Sequence, residues 1–235
     1  LVENYGIKNL KINDEMFVFN QSHFMPIVDG LIERDYGLNI CAFARVDATK
    51  KEYLPKLKKA GFNWLELGIE TGNSKVLKNV AKGKYNKDDI RILVKNIHDA
   101  GIDLCANFIF GLPGDTLESM QETLDLAFEL MPAFPSFFCA MATPGSELYD
   151  TAVKNGISLP QKWIGYAQQG YEFLPLPTEH LSAKEVLRFR DNAFNEYFRN
   201  PAYLNMIERK FGAKARAHID DMARFNLRRK ILEEK

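Results

Sequence analysis

Hydrophobic positions along the first 156 residues alternate between two spacings, and the alternation predicts an ordered series of strands and helices. "GIKNLKIND" reads as a strand, followed by a helical stretch over residues 22–34. "GLNICAFARVD" is the next strand, and "KKEYLPKLKKAG" a helix closed by Gly61. "FNWLELGIET" is a strand, while "NSKVLKNVAKG" and "NKDDIRILVKNIHDAG" are helices, the second capped by Asn86 and stopped at Gly101. "DLCANFIFGLPG" and "FPSFFCAMATPG" are strands, each followed by a helix, "DTLESMQETLDLAFELM" and "SELYDTAVKNG". Strands joined through helices over short links imply parallel pairing. The expectation is an α/β fold of about five parallel strands over residues 1–156.

Past Gly156 the rhythm stops. Residues 157–180 are rich in Pro, Gly and aromatics and read as an irregular linker. Residues 181–235 read as a helical extension broken near Pro201 and Gly212, and Ser182 with Glu185 has capping-box spacing.

Ligand sites of alternating α/β folds lie at the carboxyl ends of the strands. In "WLELGIET" the period of two puts Leu65, Leu67 and Ile69 on one face and Glu66, Gly68 and Glu70 on the other. Two carboxylates do not share a dry core unpaired, so the second face looks at something polar. There Glu70 reads as the ligand contact and Glu66, deeper in, as a partner of a neighbouring strand. The other strand ends are also polar or Gly/Pro-rich. They bring Asp14 and Glu15, Arg45 and Asp47, Asn107 and Gly111 with "GLPGDT", and Thr143 and Pro144. Simpler readings stand beside these: Asp14, Asp47 and Thr116 as helix caps, Arg45 as a partner of Glu70 or Asp47, and Asn107 as a group satisfying backbone. Met120, Met131, Met141, Phe134, Phe137 and Phe138 read as core. No histidine has a partner at ligand spacing.

Composition changes little. The 31 Lys+Arg balance the 31 Asp+Glu, so net charge points to neither nucleic acid nor membrane. Thirteen Lys/Arg against eight Asp/Glu in residues 181–235 give a basic tail, most simply a solvated helix face. No apolar run is long enough to span a bilayer. The cysteines Cys41, Cys105 and Cys139, odd in number and widely spaced, suit a reducing, cytoplasmic setting.

"INDEMF", "CAFARVDAT", "KKAGFNWLELGIETGNSKVLKNVAKG", "AGIDLCANFIFGLPGDTLES" and "ATPGSELYDTAVKNG" resemble, in that order, strand-end motifs of radical S-adenosylmethionine (SAM) enzymes. The branch most alike carries an N-terminal cobalamin-binding domain. The resemblance implies a partial (β/α)6 TIM-like barrel and an enzyme that makes a 5′-deoxyadenosyl radical. It implies SAM and a [4Fe–4S] cluster as cofactors, and in this branch cobalamin with methyl transfer. A small-molecule substrate and a flavodoxin- or ferredoxin-type electron donor are implied as partners. By position, the resemblance puts the SAM amino group near Asp14 and Glu15 and its carboxylate near Arg45. It adds SAM contacts at Glu70, Thr71 and Gly72, and adenine or ribose contacts at Asn107, Gly111, Thr143 and Pro144. The family's Cys-x-x-x-Cys-x-x-Cys loop is absent, which makes the sequence look like a barrel without its first βα unit, the cluster ligands lying upstream. Two other readings stay open: a TIM-barrel lyase of another class, and a cluster-free SAM-fold binding module.

Overall fold

The computed structural model describes residues 1–80 and 85–234. The strands are β1 (Asn9–Ile12), β2 (Asn39–Ala44), β3 (Phe62–Glu70), β4 (Asp103–Phe110) and β5 (Phe134–Cys139). Helices before and between them are α1 (Val2–Tyr5), α2 (Gln21–Arg34), α3 (Leu54–Lys59), α4 (Ser74–Val80), α5 (Lys87–Asp99) and α6 (Leu117–Leu130). After β5 come α7 (Glu147–Lys154), α8 (Ala183–Phe198), α9 (Pro201–Phe211), α10 (Ala213–Arg224) and α11 (Lys230–Glu233). The strands form one sheet in sequence order, parallel wherever register is defined, from Lys11 opposite Cys41 to Gly68 opposite Asn107. Sequential parallel order with helical crossovers is that of a partial TIM-like α/β barrel, as the sequence pattern predicts.

The chain divides into two compact units. The first comprises residues 1–70, 85–108 and 132–136, the second residues 71–80, 109–131 and 137–234. In the first unit, Ile40, Ala42, Ala44, Leu65, Leu67, Leu104 and Ala106 are buried, while the alternate positions stay partly exposed. Phe17 stacks on Phe62 at 5.6 Å, and α5 adds Ile90, Leu93, Val94 and Ile97. Each such side chain withdrawn from water contributes about 1.5–3 kcal/mol. Parallel strands are usually apolar on both faces. Here one face is apolar and the other carries Lys11, Cys41, Arg45, Glu66 and Asn107.

In the second unit an aromatic group carries much of the core. Tyr197 packs on Phe137 at 5.7 Å and on Tyr203 at 4.8 Å, and Phe110 stacks on Phe137. Three capping boxes start helices where the sequence signals them: Asn86 with Asp89, Thr116 with Ser119, and Ser182 with Glu185.

Local differences from the sequence pattern have local causes. The chain opens with the four-residue helix α1, closed by Gly6 at φ 63°, so β1 is shorter than its apolar run. Phe134, at the start of β5, is 42% exposed rather than core. The end of the helix expected after Asn73, at residues 81–84, lies outside the described residues.

Candidate functional site

The open face of the first unit is built around Gly68. Glu70, the last residue of β3, has φ 67°, a left-handed conformation that costs a non-glycine residue about 1–2 kcal/mol. That turn sends its carboxylate back over Gly68, where a Cβ would run into Glu70 Oε1. Gly68 is therefore small because Glu70 occupies the space beside it. Asn107 lies opposite Gly68 in register. Its amide donates to Glu66 Oε1 at 3.1 Å, and because a carboxylate only accepts, this bond fixes which amide atom is the oxygen. Asn107 Oδ1 is then left buried with no partner. Among the described residues Asn195 Oδ1, on α8 in the second unit, is the other buried side-chain atom in that state.

Glu70 makes no hydrogen bond or ion pair among the described residues, and burial raises its pKa above the usual carboxylate value. Tyr85 feels the same environment. Burial, with the nearby Glu70 and Asp47 carboxylates, pushes its phenol up to about 12, so it stays protonated. Glu66 is in the opposite condition. Lys11 donates to its Oε2 at 2.8 Å, while Asn107 holds Oε1. Glu66 thus serves as the structural partner of two other strands, and Glu70 is the acid left without one.

The remaining expected positions fall into three groups. Arg45 forms a two-pronged pair with Asp47, both bonds 2.9 Å, and lies 5.6 Å from the Phe19 ring. Its fork is already occupied, which resolves its partner as Asp47 and not Glu70. Asp14 is exposed, accepts from the Met16 amide at 3.1 Å, and has His23 Nε2 at 3.4 Å. It closes a turn rather than capping a helix, and Glu15 is exposed in that same turn.

In the second unit, Thr71, Gly72 and Gly111 have packing duties. Thr123 Oγ1 accepts from the Gly72 amide at 2.9 Å and shares a hydrogen bond with the buried Thr71 hydroxyl. A Cβ on Gly72 would strike the Glu122 carbonyl, so glycine there brings the backbone against α6. Gly111, at φ 77°, faces the Val186 side chain of α8. Thr143 and Pro144 are exposed, and the Thr143 carbonyl accepts from Ser146.

Sequence reasoning missed Lys11 and Tyr85 in the first unit and a buried cluster in the second. Asp191 accepts from Arg229 at 2.9 and 3.0 Å and from Arg190 at 2.7 Å. Arg229 also donates to the Gln168 and Gly170 carbonyls, and Arg190 to the Phe137 carbonyl of β5. Beside it, Gln168 bonds both the amide and the carbonyl of Cys139. The basic tail is therefore partly interior. Alternation in β1 marked Lys11; nothing in the pattern marked Arg229.

The three cysteines form no triad. Cys41 and Cys105 are on the open face of the first unit, and Cys139 is buried in the second. Among the described residues no group of three or more His, Cys, Asp or Glu is placed to hold a metal ion, so they do not fit a [4Fe–4S] cluster. No helix among the described residues is long and apolar enough to cross a membrane.

A sequential parallel sheet with helical crossovers defines an α/β-barrel type of fold. Residues 18–127 match the family model of the Radical SAM superfamily. The chain is 23% identical over 200 residues to an uncharacterized methyltransferase of Pyrococcus horikoshii, covering 85% of this chain and 43% of that protein. It is 27% identical over 173 residues to the cytidylyl-2-hydroxyethylphosphonate methyltransferase of Streptomyces wedmorensis, covering 69% of this chain and 32% of that one. The chain thus spans less than half the length of these relatives. The fold is similar to that of the radical SAM methyltransferase TsrM from Kitasatospora setae, solved with cobalamin and a [4Fe–4S] cluster. That match has a TM-score of 0.60 and 17% identity, and it covers 68% of this chain and 31% of TsrM.

Proposed function

We propose that this chain supplies the SAM-binding sheet of a radical SAM enzyme, with methyl transfer as its outcome. The observation that carries the reading is that the Glu70 carboxylate, beside Gly68, and Asn107 Oδ1, on the residue opposite Gly68, have no hydrogen-bond partner among the described residues. An ammonium group or ribose hydroxyls offer the donors those atoms lack, and a desolvated carboxylate bonds an ammonium more strongly than a solvated one does. SAM carries both kinds of group. SAM supplies a 5′-deoxyadenosyl radical when it is bound to a reduced [4Fe–4S] cluster. What these residues do is hold and orient. Glu70 accepts from the amino group or ribose, Asn107 fixes the ligand's edge, Glu66 and Lys11 lock Asn107, and Tyr85 offers a hydroxyl that stays protonated. Pre-positioning of this kind is the protein's share of cofactor chemistry. Within the first unit Asp14, Glu15 and Arg45 join the proposal, Arg45 acting through Asp47, while Thr71, Gly72, Gly111, Thr143 and Pro144 enter it only as SAM contacts that the family resemblance implies. No cluster-dependent step is assigned to these residues.

The methyltransferase relatives support a small-molecule acceptor and cobalamin as a further cofactor. A reductant of flavodoxin or ferredoxin type and a cytoplasmic setting complete the reading, the latter in keeping with three free thiols. The test uses the full-length gene product, reconstituted anaerobically with iron and sulfide. Reduction in the presence of SAM should release 5′-deoxyadenosine. Glu70→Gln should weaken SAM binding about tenfold, the loss of one charge-assisted hydrogen bond. Unchanged affinity in that variant, or no SAM cleavage by the wild type, overturns the reading.

A further inference from the structure

Among the described residues the sheet ends at β5, with β4 on its inner side, and the outer side is closed by side chains rather than by a strand. A strand turns the N–H and C=O of successive residues to opposite edges, so an edge strand presents every second residue's pair unbonded. The Ala140 amide donates to the Phe110 carbonyl at 2.8 Å, and this bond sets the phase. Ala140 lies on the β4 side, so Cys139 and Phe137 face outward.

Both outward positions are met. Gln168 Oε1 accepts from the Cys139 amide at 3.1 Å, and Gln168 Nε2 donates to the Cys139 carbonyl at 2.9 Å. A primary amide carries a C=O and an N–H side by side, the two groups that a residue of a paired strand would offer. One glutamine thus stands in for one strand residue. Two residues back, Arg190 Nε donates to the Phe137 carbonyl at 2.8 Å. Pro135, in the same phase, has no N–H to leave open.

The two capping side chains come from a turn, closed by the Gly170 amide on the Ala167 carbonyl, and from α8. One guanidinium, only 1% exposed, holds both. Arg229 Nη1 donates to the Gln168 and Gly170 carbonyls at 2.8 and 3.0 Å, which fixes the main chain from which the Gln168 side chain extends. Arg229 Nε and Nη2 donate to Asp191, whose Oδ1 also accepts from Arg190 Nη1 at 2.7 Å. A rigid fork of five donors can serve a carboxylate and two carbonyls together, and a point-like ammonium cannot.

We propose that Gln168 and Arg190 act as a side-chain substitute for a neighbouring strand, that Arg229 is their positioning residue, and that the occupant they shut out is β5 of a second copy of this chain. Edge strands are commonly kept apart by their own charges. The β5 sequence, FPSFFC, carries none, so an uncapped β5 has nothing of its own to repel an identical edge. Two such edges would supply each other's missing N–H and C=O groups. The cap lies wholly in the second unit, and its failure leaves the SAM reading untouched.

The experiment compares the wild type with Gln168→Leu and with Gln169→Leu, which places the same apolar side chain on the adjacent exposed residue. In Gln168→Leu the Cys139 amide should exchange with deuterium about tenfold faster, the loss of one hydrogen bond, while the Ala140 amide keeps its rate. In sedimentation, Gln168→Leu should form a dimer as its concentration rises, and Gln169→Leu should match the wild type. Unchanged exchange at Cys139, equal association of the two leucine variants, or no association of Gln168→Leu overturns the proposal. Arg229→Lys keeps the charge and loses the fork, and it should speed exchange at Cys139 as Gln168→Leu does. A wild-type rate in that variant would overturn the role given to Arg229. The wild type alone guards against variants that fold poorly. Its Cys139 amide should exchange as slowly as its Ala140 amide, and a fast Cys139 amide would overturn the cap.

Discussion

Around Asp191 each charge is answered, and around Glu70 one charge is not. Asp191 receives two bonds from Arg229 and one from Arg190, and Arg229 uses four of its five donors on Asp191 and two backbone carbonyls. Glu70 reaches a half-buried position on a left-handed backbone and finds no bond there among the described residues. Ion clusters away from water persist when fully satisfied, because the desolvation cost is then offset by bonds to every group. A carboxylate on strained backbone with no bond among the described residues is what the SAM contact proposed above would need. The Asp191 cluster ties the chain after α10 to α8 and to the Gln168–Gly170 loop. The Glu70 carboxylate instead carries a desolvation cost.

The comparison can be broken most sharply at Arg229, whose side chain is fully buried. Arg229→Ala leaves Asp191 short of its main partner and should lower unfolding free energy by about 3–5 kcal/mol in urea titration. A loss under 1 kcal/mol would mean that the cluster is not structural. Gly72→Ala comes next. Its Cβ must push α6 away at the Glu122 carbonyl, and the expected cost is about 1–3 kcal/mol, since overpacking displaces backbone. That loss, measured by thermal melting, would assign Gly72 to packing even though it sits beside the Glu70 site in sequence.

At Glu70 the sign should reverse. A folded-state pKa above the unfolded one means that the folded chain binds more protons in the interval between the two values. Stability therefore falls as pH rises through that interval, and the penalty is complete above the folded pKa. Glu70→Gln should abolish this slope and leave the protein slightly more stable at pH 7 than the wild type. A variant less stable than the wild type at pH 7 would show that Glu70 has a structural partner. The smallest effect is expected at Asn107→Ala, about 1 kcal/mol, because Glu66 keeps its Lys11 bond and only one hydrogen bond is lost.

Much of the fold was legible because it is written in local periodicity. The alternation in "WLELGIET" forced Leu65, Leu67 and Ile69 inward, and in the structure all three are fully buried. Helix boundaries followed from caps such as Asn86 and Thr116, which need only their own next turn. The strand-end acids were visible for the same reason. Their partners were not, because a partner depends on what faces a side chain from another strand. Arg45 was legible as a cation paired with Glu70 or Asp47, and only the structure chose Asp47. Thr71 and Gly72 read as ligand positions, and no local pattern showed that they also bond Thr123. The basic tail read as solvated surface, since charge counts carry no depth, yet it sends Arg229 inside.

The sequence by itself determined the order of elements, the parallel sheet, the polarity of its open face and the match to the Radical SAM superfamily over residues 18–127. These depend on period and local chemistry, which a chain carries in linear form. The strand pattern had already set Glu66 apart from Glu70 as a partner of a neighbouring strand; tertiary structure alone decided which groups meet it. Glu66 meets Lys11 and Asn107 through the stagger of three strands, whereas Glu70 is turned back over Gly68 by a single positive φ. Register and one backbone angle are set by packing across strands far apart in sequence, and no local pattern encodes them.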